Sequence, residues 1–173
     1  LGVGEPDFAT PWTIRESGIF SLEQGQTMYT SNAGLPELRQ ELAKHLYKVT
    51  GNEYDPASEI LVTVGASQAV DLVMRTVLDK GDAVLIPDPS YVSYAPCAIL
   101  AGAEVNYVPT YEENDFRLRV EDLQLAYTPN CKLLVLSYPN NPTGAIMTWE
   151  DLLPIARFVS EKDLLVLSDE IYA

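Results

Sequence analysis

Asp169 directly follows the apolar run at residues 164–167, inside Ser168-Asp169-Glu170-Ile171-Tyr172. A carboxylate and a phenol therefore stand at the exit of a buried strand pattern. Asn141 lies in Tyr138-Pro139-Asn140-Asn141-Pro142-Thr143-Gly144, just past a second apolar run at residues 133–136. The prolines fix that loop's backbone and remove donors, while each Asn amide both donates and accepts. Gly65-Ala66-Ser67-Gln68 joins the run at 60–64 to an apolar helical stretch. Small residues at such a junction let backbone N–H groups point outward. The helix N-terminus adds about half a positive charge, so the junction suits a phosphate or carboxylate. Tyr91 and Tyr94 follow the run at 83–86 and Pro87-Asp88-Pro89-Ser90, offering rings to the core or to a flat ligand.

Each motif alone has a plain structural reading: a β-to-α turn, a Ser cap, a core aromatic. Together they occupy the carboxyl ends of successive strand patterns, the edge where open α/β sheets bind ligands. An anion cradle, an aromatic ring, an amide, a carboxylate and a phenol suit a flat, phosphorylated, nitrogen-containing aromatic ligand that carries a ring hydroxyl.

The positioning elements follow from the pattern. Residues 1–34 read as an irregular arm punctuated by Gly2, Gly4, Pro6 and Pro11. Pro36 opens an amphipathic helix with Leu38, Leu42, Leu46 and Val49 on one face, and Gly51 ends it. Five short apolar runs, at 60–64, 83–86, 104–108, 133–136 and 164–167, predict strands. Helical patterns at 69–78, 91–100, 120–126 and from Thr148 alternate with them. Thr148 and Asp151 match a capping box with a shorter acid. Pro154 predicts a late start or a kink in that helix. Continuous apolar strands alternating with helices predict a three-layer α/β/α fold on a mostly parallel sheet. The expected division is an arm and partner-facing loop at 1–34 and a partial ligand-binding domain at 35–173.

The 173 residues carry a formal net charge of -14 with pI near 4.2. That balance opposes nucleic acid, which needs a basic face, and opposes docking on anionic lipid. No apolar run approaches the roughly 20 residues of a membrane helix. Cys97 and Cys131 have no metal spacing and His45 has no partner histidine, so no metal site is expected and a cytoplasmic setting is. Leu1 is not followed by a signal pattern, and Ala173 comes just after a strand exit. A piece of a longer polypeptide, missing both ends, is the expectation.

Six segments in order resemble the amino-terminal part of the large domain of class I/II aminotransferases, the fold-type-I enzymes that use pyridoxal 5'-phosphate (PLP). They are Gly4-Glu5-Pro6-Asp7-Phe8, the run YTSNAGLPELR at 29–39, VGASQ at 64–68, DPSYVSY at 88–94, PNNPTG at 139–144 and SDEIY at 168–172. The resemblance implies roles residue by residue. Asp169 would pair with the pyridine nitrogen. Asn141 and Tyr172 would hydrogen-bond the ring hydroxyl oxygen, and Tyr91 would stack on the ring. Ala66, Ser67 and Gln68 would cradle the phosphate. Tyr29 would reach the phosphate of a neighbouring subunit, which implies a homodimer. Gly4, with Asn141, would lie at the substrate. Cis peptides are implied at Asp88-Pro89 and Asn141-Pro142.

The implied activity is transfer of an amino group between an amino acid and a 2-oxo acid. The family's Schiff-base lysine follows the SDEIY motif by some tens of residues, so no catalytic residue is assigned within 1–173. None of Lys44, Lys48, Lys80, Lys132 or Lys162 matches it. Two other outcomes share these motifs: a PLP-dependent carbon–sulfur lyase or aminocyclopropane-carboxylate-synthase-like enzyme, and a non-enzymatic effector domain of a transcription regulator.

Overall fold

Val84 and Ile86 point to one side of their strand, Ala83 and Leu85 to the other, and all four are buried. A strand apolar on both faces must be covered on both faces. The computed structural model describes residues 7–172, and it shows that covering. Four strands, β1 (Ala83–Asp88), β2 (Glu104–Pro109), β3 (Cys131–Ser137) and β4 (Leu165–Asp169), form one sheet in the order β2-β1-β3-β4, parallel throughout.

The helices are α1 (Trp12–Glu23), α2 (Pro36–Thr50), α3 (Gly65–Val77), α4 (Tyr94–Leu100), α5 (Val120–Ala126) and α6 (Trp149–Glu161). Val70 and Met74 of α3 and Tyr94 and Ala98 of α4 bury against Val84, Ile86, Leu133, Val135 and Leu167. On the other face, Leu123 of α5 and Ile155 and Phe158 of α6 bury against Ala83, Leu85 and Leu134. The expected α/β/α layering is therefore present, with two apolar cores divided by the sheet.

The chain divides into two compact units, Leu1–Val62 and Thr63–Ala173. In the first, α2 follows its pattern: Pro36 at the first turn, Glu37 beside the positive end, and Gly51 left-handed at φ 76° as the C-cap. Arg39 is buried in that unit and its Nη1 donates to the Ala57 carbonyl at 3.1 Å. Gly34 is left-handed at φ 94°, and a Cβ there would lie 2.6 Å from Val62 Cβ.

Several expectations fail. The arm is not wholly irregular, because α1 occupies Trp12–Glu23. None of its residues is buried and its apolar residues spread around the axis, so no one-sided stripe advertises it. Residues 60–63 form no strand. Val62 N–H donates to the Ala33 carbonyl at 3.0 Å, and no neighbouring strand among the described residues supplies a ladder. Among the described residues the sheet accordingly has four strands, not five. Helix α3 begins at Gly65 rather than Ala69. Helix α6 starts at Trp149 and runs through Pro154, so the late start is absent. The capping box is formed, with Thr148 Oγ1 accepting from Asp151 N–H at 3.4 Å and Asp151 Oδ2 accepting from Thr148 N–H at 2.8 Å. Glu150 and Pro154 are exposed, which leaves to water the carbonyl that Pro154 cannot bond.

Candidate functional site

Parallel strands deliver all their carboxyl ends to one rim. Ser137 ends β3, Asp169 ends β4, and the two are register partners. Both follow the alternation of Val135 and Leu167, so both face the layer that holds α3 and α4.

After β3 the loop ties itself down through Asn140. This buried side chain accepts from the Thr143 backbone at 3.3 Å and from its hydroxyl at 2.9 Å. The Asn140 backbone N–H donates to the Ala145 carbonyl, and its backbone carbonyl accepts from the N–H of Gly144, left-handed at φ 73°. Asn141 is left free of that framework. Its Nδ2 approaches the Tyr172 hydroxyl at 3.5 Å, across from β3's exit to β4's. Asp88-Pro89 and Asn141-Pro142 are cis as the family resemblance implies, and Tyr138-Pro139 is cis as well.

Asp169 is held from two sides. Tyr94 Oη donates to Oδ2 at 2.7 Å, and Ile171 N–H donates to Oδ1 at 3.2 Å. Tyr94 is 1% exposed. Burial, and then the neighbouring Asp169 charge, push its phenol above the ordinary tyrosine value, although the Ser137 hydroxyl beside it pulls the other way. The phenol is thus a protonated donor at neutral pH. Tyr91 stands before the first turn of α4, edge-on to Tyr94 with centroids 5.5 Å apart. The hydroxyls of Ser93 and Ser67 approach the Tyr91 phenol oxygen and draw it below the ordinary value.

That contact joins Tyr91 to the start of α3. Val64 is the N-cap and no side chain caps the helix from it, so Ser67 is not the cap that the local reading allowed. Gln68 turns Oε1 back on the Val64 N–H at 2.6 Å. A cavity of about 360 Å³ opens between α3 and β4, lined by Ala66, Ala69, Val70, Val73, Leu167 and Asp169 among others.

A family model described as aminotransferase class I and II matches residues 1–173. The chain belongs to that family. It is 48% identical over 172 residues to aromatic-amino-acid aminotransferase 2 of Thermococcus litoralis, covering 99% of this chain and 44% of the relative. It is 49% identical to an aspartate aminotransferase of Pyrococcus abyssi with the same coverage. The crystal structure of an aromatic aminotransferase from Pyrococcus horikoshii superposes with a TM-score of 0.96 at 49% identity, over 99% of this chain and 46% of that one. Aspartate aminotransferase from Thermus thermophilus with maleate gives 0.92 at 41%, over 96% and 44%. The chain thus spans under half the length of these relatives. The family implies PLP as cofactor.

Within this class I/II aminotransferase chain, the second unit sets Ala66 and Asp169 on one cavity, Ser67 and Gln68 in the first turn of α3, Tyr91 just before α4, and Asn141 against Tyr172. Tyr29 lies in the first unit, fully exposed, and Gly4 lies outside the described residues. Sequence reasoning missed two groups: Tyr94, which grips Asp169, and Asn140, which builds the loop that offers Asn141. The i, i+3 spacing of Tyr91 and Tyr94 was the available signal for the first. Nothing local separates Asn140 from Asn141. Among the described residues no helix is long and apolar enough to cross a membrane, and no cluster of three or more His, Cys, Asp or Glu could hold a metal.

Proposed function

We propose that the protein carrying this chain is a PLP-dependent aminotransferase that moves an amino group between an amino acid and a 2-oxo acid. Residues 1–173 would supply most of the cofactor floor. The observation that carries this reading is Asp169, fixed by two donors at the rim beside the Asn141–Tyr172 pair. When bound, PLP supplies an electron sink for the substrate Cα. Asp169 would hold a proton on the ring nitrogen, because an adjacent carboxylate favours the charged form of a base. Asn141 and Tyr172 would donate to the ring hydroxyl oxygen. Tyr91 would cover the ring face. The uncapped first turn of α3, with Ala66 and Ser67, would hold the phosphate on free backbone N–H groups. Gln68, occupied with Val64, would complete that turn from within.

Beyond this floor, the proposal assigns residues 1–34 to an arm and 35–173 to a partial cofactor domain. Tyr29 would reach the phosphate of a second subunit in a cytoplasmic homodimer, and Gly4 and Asn141 would lie at the substrate carboxylate. The covalent lysine is assigned to none of the five lysines here. Lys80, Lys132 and Lys162 sit at or before the amino ends of strands, opposite the Asp169 rim. Lys132 pairs with Asp82 at 3.1 Å, and Lys162 lies over the Tyr127 ring.

The test is transamination by the full-length protein, with an amino acid and a 2-oxo acid, alongside Asp169→Ala. The substitution should weaken PLP binding about ten- to a hundredfold, the worth of a charge-assisted hydrogen bond of about 1.5–3 kcal/mol. Equal PLP affinity in the two proteins would sink this reading.

A further inference from the structure

We propose that Tyr94 is a positioning residue for the cofactor, acting through Asp169 by holding the carboxylate in the one orientation that serves a ring nitrogen. The inference rests on the functional reading above and extends it to a residue that makes no contact with the ligand itself.

A carboxylate at the end of a strand has several staggered side-chain positions open to it. Asp169 has none to spare. Ile171 N–H takes Oδ1 at 3.2 Å and Tyr94 Oη takes Oδ2 at 2.7 Å. An ionised carboxyl offers about four lone-pair sites. Two donors arriving from the protein leave the others for an incoming N–H, and fix where they point.

The grip is rigid because its source is rigid. Tyr94 begins α4, is 1% exposed, and packs in the same core as Val70, Met74 and Leu167. Tyr91 braces its ring edge-on. Ser137, register partner of Asp169, sets a buried hydroxyl against the phenol oxygen. Three elements distant in sequence, β3, α4 and β4, thereby converge on one carboxylate. The other charged groups nearby are occupied elsewhere. Glu170 accepts from the Ser168 hydroxyl, and on α3 Asp71 and Arg75 pair with each other. Tyr94 is the one side chain among the described residues that donates to Asp169.

The test uses the full-length protein, freed of cofactor and titrated with PLP by fluorescence. Tyr94→Phe keeps the ring and removes only the donor. PLP affinity should fall on the order of tenfold, the scale of one hydrogen bond to a charged group. In an Asp169→Ala background the same substitution should change affinity by less than about twofold, because coupled residues are non-additive. An undiminished affinity in Tyr94→Phe or an equal loss in the Asp169→Ala background would each overturn the assignment. If Asp169→Ala alone has no effect on PLP affinity, the functional reading fails instead.

Discussion

Two adjacent asparagines should separate stability from ligand binding. Asn140 is buried and accepts two hydrogen bonds from Thr143, at 3.3 and 2.9 Å. Asn140→Ala deletes both. At a net of about 0.5–1.5 kcal/mol each, the loss is about 1–3 kcal/mol. For a chain of this size that lowers the melting temperature by about 2–12 °C. Asn141 is half-buried and makes one contact at the 3.5 Å limit, so Asn141→Ala should change stability by less than about 0.5 kcal/mol. Its effect should fall on PLP affinity, about tenfold or more if its amide donates to a charged ring oxygen. Calorimetry of the cofactor-free protein reads the first quantity and a PLP titration the second. The reasoning is refuted if Asn141→Ala lowers the melting temperature as far as Asn140→Ala, or if Asn141→Ala leaves affinity untouched.

Gly34→Ala should destabilise by about 2–4 kcal/mol, from a left-handed backbone and from overpacking against Val62. Gly51, equally left-handed but with nothing within 4 Å of an added Cβ, is the control, and thermal melts showing equal losses at the two glycines would exclude the clash. Asp151 is held below its ordinary value first by the Thr148 backbone N–H; burial opposes this, and the Thr148 hydroxyl and the Arg117 charge add smaller lowering effects. A depressed carboxylate stabilises above its unfolded value of about 4 and loses that contribution as pH falls through the lower native value. Asp151→Asn should therefore lower the melting temperature at pH 7 and converge with wild type once the pH has fallen below the depressed native value, as followed by melts across pH. Borohydride reduction of the PLP-loaded protein followed by peptide mapping should leave Lys44, Lys48, Lys80, Lys132 and Lys162 unmodified, and stoichiometric label on any one would reassign the covalent anchor.

Local chemistry wrote much of this molecule openly. The capping pair Thr148 and Asp151, the Pro36 start and Gly51 stop of α2, and the apolar runs of β1 to β4 each depend on residues a few positions apart, so the sequence alone determined them. It also put Asp169 and Asn141 on one rim, because each comes at the exit of an apolar strand run and parallel strands share an exit side. What only the tertiary structure decided is pairing between distant segments. The apolar run at 60–64 looks like its neighbours, yet no described strand lies beside it, so it stays unladdered. Helix α1 buries nothing, so no stripe reveals it. Tyr94 and Asp169 are 75 positions apart. Their meeting depends on the strand order that sets β3 against β4 and on α4 packing on the same face of the sheet, and such long-range geometry has no trace in either residue's neighbours.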